Sequence, residues 1–144
     1  MSEAANESAA KACIEAILKR DEATLRRLFT SDAVFRPPLP TFADYTITGI
    51  DNVVTALCSM SGAEYISPRA NIFSVLSRGD RVVVEWIISA TIASSKLDYK
   101  NWYCFSFTFR NGYIHEILEY ADTAYGAKLL GNLPQNTIAE VTGR

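Results

Sequence analysis

The stretch "HEILEYAD", residues 115–122, places the chain's only histidine, His115, beside three carboxylates, Glu116, Glu119 and Asp122. Imidazole and carboxyl groups move protons near neutral pH, so the stretch is the first place to look for acid–base chemistry. On a regular strand, alternate side chains face opposite sides. The four groups then cannot form one site: His115 and Glu119 share one face, Glu116 and Asp122 the other. Little else competes with them. Cys13, Cys58 and Cys104 include no Cys-x-x-Cys pair and read as free, mostly buried thiols. No metal-ligand spacing, phosphate loop or nucleotide fingerprint is present, so neither a metal nor a cofactor is expected.

The elements that must position these groups can be read from composition and periodicity. A chain of 144 residues, 49% hydrophobic and 21% charged, reads as one domain spanning residues 1–144. A net charge of -2 gives no electrostatic case for nucleic acid or an anionic membrane. Lys19, Arg20, Arg26 and Arg27 interleave with Glu15, Asp21 and Glu22, as on a solvated helix face. The N-terminus, "MSEAANESAAKAC", lacks the positive and apolar regions of a signal peptide, and no apolar run reaches the roughly 18 residues of a membrane span. A cytoplasmic location is expected.

Ala10, Cys13, Ile14, Ile17 and Leu18 recur at helical spacing, and Leu25, Leu28 and Phe29 continue a second stripe behind Asp21, a candidate cap. Pro37, Pro38 and Pro40 impose an irregular passage. A third helix is expected from about Ile50 to Met60, with Thr48 and Asp51 as a capping arrangement. Beyond residue 70 the period becomes two. Val82, Val84, Trp86, Ile88, Ala90 and Ile92 form the apolar face of a long strand, and Asn101, Tyr103, Phe105, Phe107 and Phe109 that of the next. "SRGD" and "RNG" are turns, and "YIHEILEYAD" returns as a strand. Helices followed by hairpins imply an α+β fold, with helices packed on one face of a curved antiparallel sheet.

The run "YKNWYCFSFTFRNGYIHEILEYADTAYG" resembles the C-terminal half of SnoaL-like proteins of the NTF2-like superfamily. "ILKRDEATLRRLFTSDAVFRPP" and "GIDNVVTAL" resemble the family's opening helices, first strand and third helix. The resemblance implies a cone: a bent sheet wrapped around about three N-terminal helices, with one deep apolar pocket. It also implies a homodimer through the outer sheet face, here including Trp102, Ser106 and Thr108. The family's reactions are diverse. Limonene-epoxide hydrolases carry an Arg-x-Asp pair where this chain has Trp86 and Ile88. Ketosteroid isomerases carry an aspartate before the proline that follows Arg36 here, and a tyrosine near the position of Cys13. The polyketide cyclases use a histidine and an acidic residue on the last strands, and Glu119 lies in the region of the acidic one.

The face taken by Glu119 depends on the turn. A two-residue Asn111-Gly112 loop pairs Arg110 with Tyr113 and Cys104 with Glu119, on the less apolar face. A three-residue Arg110–Gly112 loop pairs Phe109 with Tyr113 and Tyr103 with Glu119, on the aromatic face. Turn preference favours the first and the resemblance the second, which is the arrangement we expect. For the preceding hairpin, a Ser95–Asp98 loop would pair Ala90 with Tyr103 and Ile88 with Phe105.

The resulting expectation is a cofactor-independent isomerase or cyclase acting on an apolar polyketide- or terpenoid-type intermediate. Glu119, its pKa raised by burial, would move protons, with Tyr103 supplying a hydroxyl and Asn101 orienting a substrate oxygen. Trp86, Ile88, Ala90 and Phe105 would line the pocket, and Arg36, Asp44 and Tyr45 would border its mouth. The alternatives are a non-catalytic small-ligand binder or dimerisation module, and an epoxide hydrolase with rearranged groups. His115 is expected to be a partly exposed residue near the turn, and Asp122 to close the strand.

Overall fold

The computed structural model describes residues 2–38 and 46–130. Helix α1 (Glu3–Lys19) starts where the Ser2 hydroxyl accepts from Ala5 N at 3.1 Å, and it ends at Arg20 in the left-handed region, φ 53°. Its expected stripe, Ala10, Cys13, Ile14, Ile17 and Leu18, is buried. Asp21 caps α2 (Glu22–Leu28), accepting from Thr24 N at 3.0 Å. Strands β1 (Phe29–Arg36) and β2 (Ile47–Thr48) follow, then helix α3 (Ile50–Ser59). The expected Thr48–Asp51 cap does not form. Thr48 is a strand residue paired with Val34, and Gly49 takes the cap position at φ 87°, a backbone conformation open to glycine. Among the described residues no helix is long and apolar enough to cross a membrane.

Three hairpins complete the sheet: β3 (Tyr65–Arg78), β4 (Arg81–Ile92), β5 (Asp98–Arg110) and β6 (Tyr113–Ala121). The six strands run in the order β2-β1-β6-β5-β4-β3. The sheet is mixed rather than wholly antiparallel. After α3 the chain crosses to the far edge and returns hairpin by hairpin, so β6 arrives parallel to β1. The helices cover one face. The α1 stripe and α3 residues Val53, Val54 and Leu57 form one core with Val82, Val84, Trp86, Ile88, Phe105, Phe107, Phe109, Ile114 and Ile117.

Two registers differ from expectation. Between β4 and β5 the reversal sits two residues earlier than Ser95–Asp98, with Lys96 N donating to Ile92 O at 2.9 Å and Ile92 N to Leu97 O at 2.9 Å. Trp86 therefore pairs with Tyr103, Ile88 with Asn101 and Ala90 with Tyr99. An even displacement changes partners but keeps faces.

Between β5 and β6 the turn is the two-residue one. Asn111 (φ 53°) and Gly112 (φ 80°) both take positive φ, and Arg110 pairs with Tyr113. This is the backbone that Asn-Gly favours, because it matches the strand twist. The expected three-residue loop is absent. The register nevertheless slips by one inside the strand: Phe109 pairs with Ile114, but Thr108 with Glu116. His115 is the extra residue of a β-bulge. Past it, Phe105 pairs with Glu119, so the carboxylate joins the aromatic face by way of the bulge, opposite Phe105 rather than Tyr103.

Helix α4 (Thr123–Leu130), not anticipated from the sequence, follows β6. Asp122 ends the strand by capping it, accepting from Tyr125 N at 2.9 Å.

Candidate functional site

Between the helices and the inner sheet face lies a cavity of about 100 Å³. That is well above the roughly 10–15 Å³ that admits a single water. Among the described residues its wall includes Ile17 and Leu18 from α1, Phe35 and Pro37 at the end of β1, and Leu57 and Met60 around the end of α3. The sheet contributes Tyr65, Trp86, Ile88, Tyr103, Phe105 and Glu119. Alternation along β4 and β5 aims Trp86, Ile88, Tyr103 and Phe105 inward, and the His115 bulge adds Glu119 to them.

Among the described residues Glu119 is the one carboxylate in that wall. No described residue holds its carboxyl by a hydrogen bond or an ion pair. Burial without a compensating partner among the described residues pushes its pKa up to about 8. Trp86 lies flat against Tyr103, ring centroids 4.8 Å apart, and edge-on to Phe105 at 5.3 Å. Its indole nitrogen is buried without a partner among the described residues. The Tyr103 hydroxyl lies 3.1 Å from that of Tyr99. Burial first, then the neighbouring Tyr99 and Glu119, hold the Tyr103 phenol above its ordinary pKa, so it stays protonated. Tyr65, stacked on Tyr99 at 5.3 Å, is pushed the same way, chiefly by burial.

The structure thus brings Glu119, Tyr103, Trp86, Ile88 and Phe105 to one cavity. Asn101 is buried but spends its amide locally, on Tyr99, Asp122 and Trp102. The expectation that it meets a substrate oxygen is corrected accordingly. Ala90 pairs with Tyr99, beyond the described lining, because the β4–β5 register is displaced. Arg36 is likewise outside that lining. Its Nε donates to Glu116 at 3.1 Å and Nη1 to the Thr46 hydroxyl at 2.8 Å, tying β1 to β6 and to the start of β2. Asp44 and Tyr45 lie outside the described residues. His115 does not share the face of Glu119: its Nδ1 lies 3.2 Å from the Thr30 hydroxyl and 3.7 Å from Asp32. Cys13 is fully buried, and burial raises its thiol far from reactivity.

Sequence reasoning missed Tyr65 and Tyr99. Tyr99 was within reach, since it continues the alternation of Asn101 and Tyr103. Tyr65 had no periodic neighbour to reveal it, because Ser67 (φ 49°) interrupts β3 near its start.

Comparison with known proteins bears on this geometry. The sequence profile of the SnoaL-like domain matches residues 10–117. No curated protein matches the chain in sequence. Among solved structures, a protein assigned as a SnoaL-like polyketide cyclase from Jannaschia sp. CCS1 superposes with a TM-score of 0.77 at 15% identity, over 92% of this chain and 95% of that one. An LEH-like epoxide hydrolase from M. tuberculosis gives 0.67 at 20% identity, over 99% and 98%. A protein of ketosteroid isomerase-like fold from Catenulispora acidiphila, in complex with trimethylamine, gives 0.71 at 16% identity, over 89% and 95%. At these identities the likeness is one of fold.

Proposed function

The chain belongs to the SnoaL-like domain family, and we propose that it is a cofactor-independent isomerase or cyclase that moves a proton within an apolar, carbonyl-bearing substrate of the polyketide or terpenoid type. The observation that carries this reading is Glu119: a carboxyl without a partner among the described residues, in an aromatic cavity, with a pKa of about 8. A group poised there exchanges protons in both directions near neutral pH. As carboxylate, Glu119 takes a proton from the carbon next to the carbonyl, and the electron pair moves onto the carbonyl oxygen. As carboxylic acid, it returns the proton to the far carbon of a double bond conjugated with the enolate, as the electron pair comes back from the oxygen and the double bond shifts. The cavity is sized for about one ring of a substrate, and its aromatic walls exclude water from the intermediate. A cytoplasmic location and a homodimer formed through the outer sheet face belong to the same reading. The first is supported by three free cysteines and the second by the exposed Trp102 and Phe73.

Acetophenone in D2O tests the reaction class without knowledge of the natural substrate. The protein should speed loss of its methyl proton NMR signal. Glu119→Gln should slow that exchange at least about a hundredfold, the range of general acid–base contributions. Exchange no faster than in buffer, or unchanged in the variant, would remove the assignment.

A further inference from the structure

The hydrogen bonds behind the cavity wall have a direction, and it can be traced outward from the backbone. Asn101 is 2% exposed, so its amide must satisfy itself within the protein. Its nitrogen faces the Asp122 carbonyl at 3.2 Å, which can only accept, and its oxygen faces Trp102 N–H at 2.7 Å, which can only donate. These two backbone partners fix which end of the amide is which. The second Nδ2 proton therefore goes to the Tyr99 hydroxyl oxygen, 2.8 Å away. Tyr99 is itself 2% exposed and has one proton to place. Asn101 Nδ2 cannot take it, whereas the Tyr103 oxygen lies 3.1 Å away, and the Tyr65 hydroxyl is the second neighbour able to bond with Tyr99. Were Tyr103 to donate to Tyr99 instead, the Tyr99 oxygen would accept twice and its own proton would have only the Tyr65 hydroxyl to turn to. The favoured order is Asn101 to Tyr99 to Tyr103, which leaves the Tyr103 proton unspent at the wall shared with Glu119.

We infer that Tyr103 donates its phenol proton into the cavity, to the carbonyl oxygen of the substrate, and that Asn101 acting through Tyr99 is the positioning pair that sets this polarity. The assignment rests on the proton-transfer reading above and narrows its substrate to a compound presenting a hydrogen-bond acceptor oxygen beside the carbon that loses its proton. It also separates roles. Tyr103 touches substrate, whereas Tyr99 and Asn101 act from behind it. A donor already oriented by a chain of hydrogen bonds needs no reorganisation as negative charge develops on the oxygen. Helix α4 completes the backing. Tyr125 stacks on Tyr99 at 5.6 Å, and Gly126 passes over the pair, where an added Cβ would lie 3.6 Å from the Tyr99 hydroxyl.

Acetophenone and ethylbenzene, nearly the same shape with and without the oxygen, read the donor directly. Wild-type protein should bind acetophenone about five- to tenfold more tightly, the worth of one net hydrogen bond. The infrared carbonyl band of bound acetophenone should move to lower frequency. Tyr103→Phe should abolish the preference and the band shift while ethylbenzene affinity stays the same. Tyr99→Phe, which keeps the ring and removes one oxygen, should leave a smaller band shift. A merely structural role for Tyr99 would leave the band where it is. No binding of acetophenone, no preference over ethylbenzene, or a band shift that persists in Tyr103→Phe would each overturn the assignment. So would loss of the shift in Tyr65→Phe with its retention in Tyr103→Phe. Failure of the proton-transfer reading looks different: acetophenone would keep its preference and band shift while its methyl protons exchanged no faster than in buffer.

Discussion

A single carboxyl buried in a cavity wall without a partner among the described residues leaves a mark on the stability of the whole chain. Glu119 has a pKa of about 8 in the fold, against 4.5 for an ordinary glutamate. Below pH 4.5 it is neutral whether the chain is folded or not, and it imposes no penalty. Between 4.5 and 8 the unfolded chain ionises while the folded chain resists, so stability falls steadily as pH rises. Above 8 the folded form ionises too, and the loss levels off. Glu119→Gln removes the titration and keeps the shape. The variant should therefore gain on the wild type from pH 4.5 upward, by an amount on the order of a few kcal/mol once pH passes 8. Denaturant midpoints of both proteins at pH 4, 6 and 9 would show it, and a constant difference across that range would mean the carboxyl is solvated in the native state. Catalysis carries the same signature with the opposite sign. With the carboxylate as the proposed base, methyl proton exchange should rise toward pH 8 and flatten above it. The cavity thus gives up stability where it gains a competent base.

At the scale of the element, the cavity-facing side of β6 depends on one bulge. The sequence displays both demands that create it. Asn111-Gly112 asks for a two-residue turn. Ile114 and Ile117 are both apolar yet three apart, a spacing that a regular strand cannot bury on one face. An extra residue between them satisfies both demands, and His115, which reaches Thr30 instead of the core, is that residue. The turn and the face of Glu119 were each legible, but only as rivals, because a register argument that counts straight from the turn has no place for a bulge. The long strands, the opening helices and the aromatic face were plain from their periods. The parallel β1–β6 pairing was not, since it is decided by where α3 carries the chain, and neither was α4, a short helix dependent on the Asp122 cap. The bulge account makes its own forecast. Deleting His115 joins Ile114 directly to Glu116 in unbroken alternation, with Ile117 and Glu119 still facing inward. The shortened chain should fold, at some loss of stability, and Glu119 should keep its elevated pKa, measurable by NMR titration of its side-chain carboxyl carbon. A normal glutamate titration in that variant would show that the face is set elsewhere.

At the scale of the molecule, the sheet has two faces, and among the described residues the helices cover one. On the other, Trp102 is 61% exposed, Leu76 67%, Tyr120 57% and Phe73 48%. Phe73 is itself the extra residue of a bulge in β3, and it meets Trp102 edge-on at 5.2 Å. Ser106, expected to belong to this open face, is instead covered by Arg81, which donates to its hydroxyl at 2.7 Å. The apolar area therefore concentrates around Trp102 rather than spreading along β5. Large aromatic side chains grouped on a sheet face are what an interface core uses, and a closed two-fold contact buries the same patch on both copies. Trp102 points away from the cavity while its neighbours Asn101 and Tyr103 face inward, so the two surfaces can be altered separately. Trp102→Glu places a charge at the centre of the patch and should convert a dimer into monomers in sedimentation velocity, leaving the Glu119 titration as it was. A wild-type chain that sediments as a monomer at tens of micromolar would end the dimer assignment without touching the site on the opposite face. A variant that lost both dimer and titration would show that the sheet needs its partner to hold Tyr103 and Glu119 at one cavity.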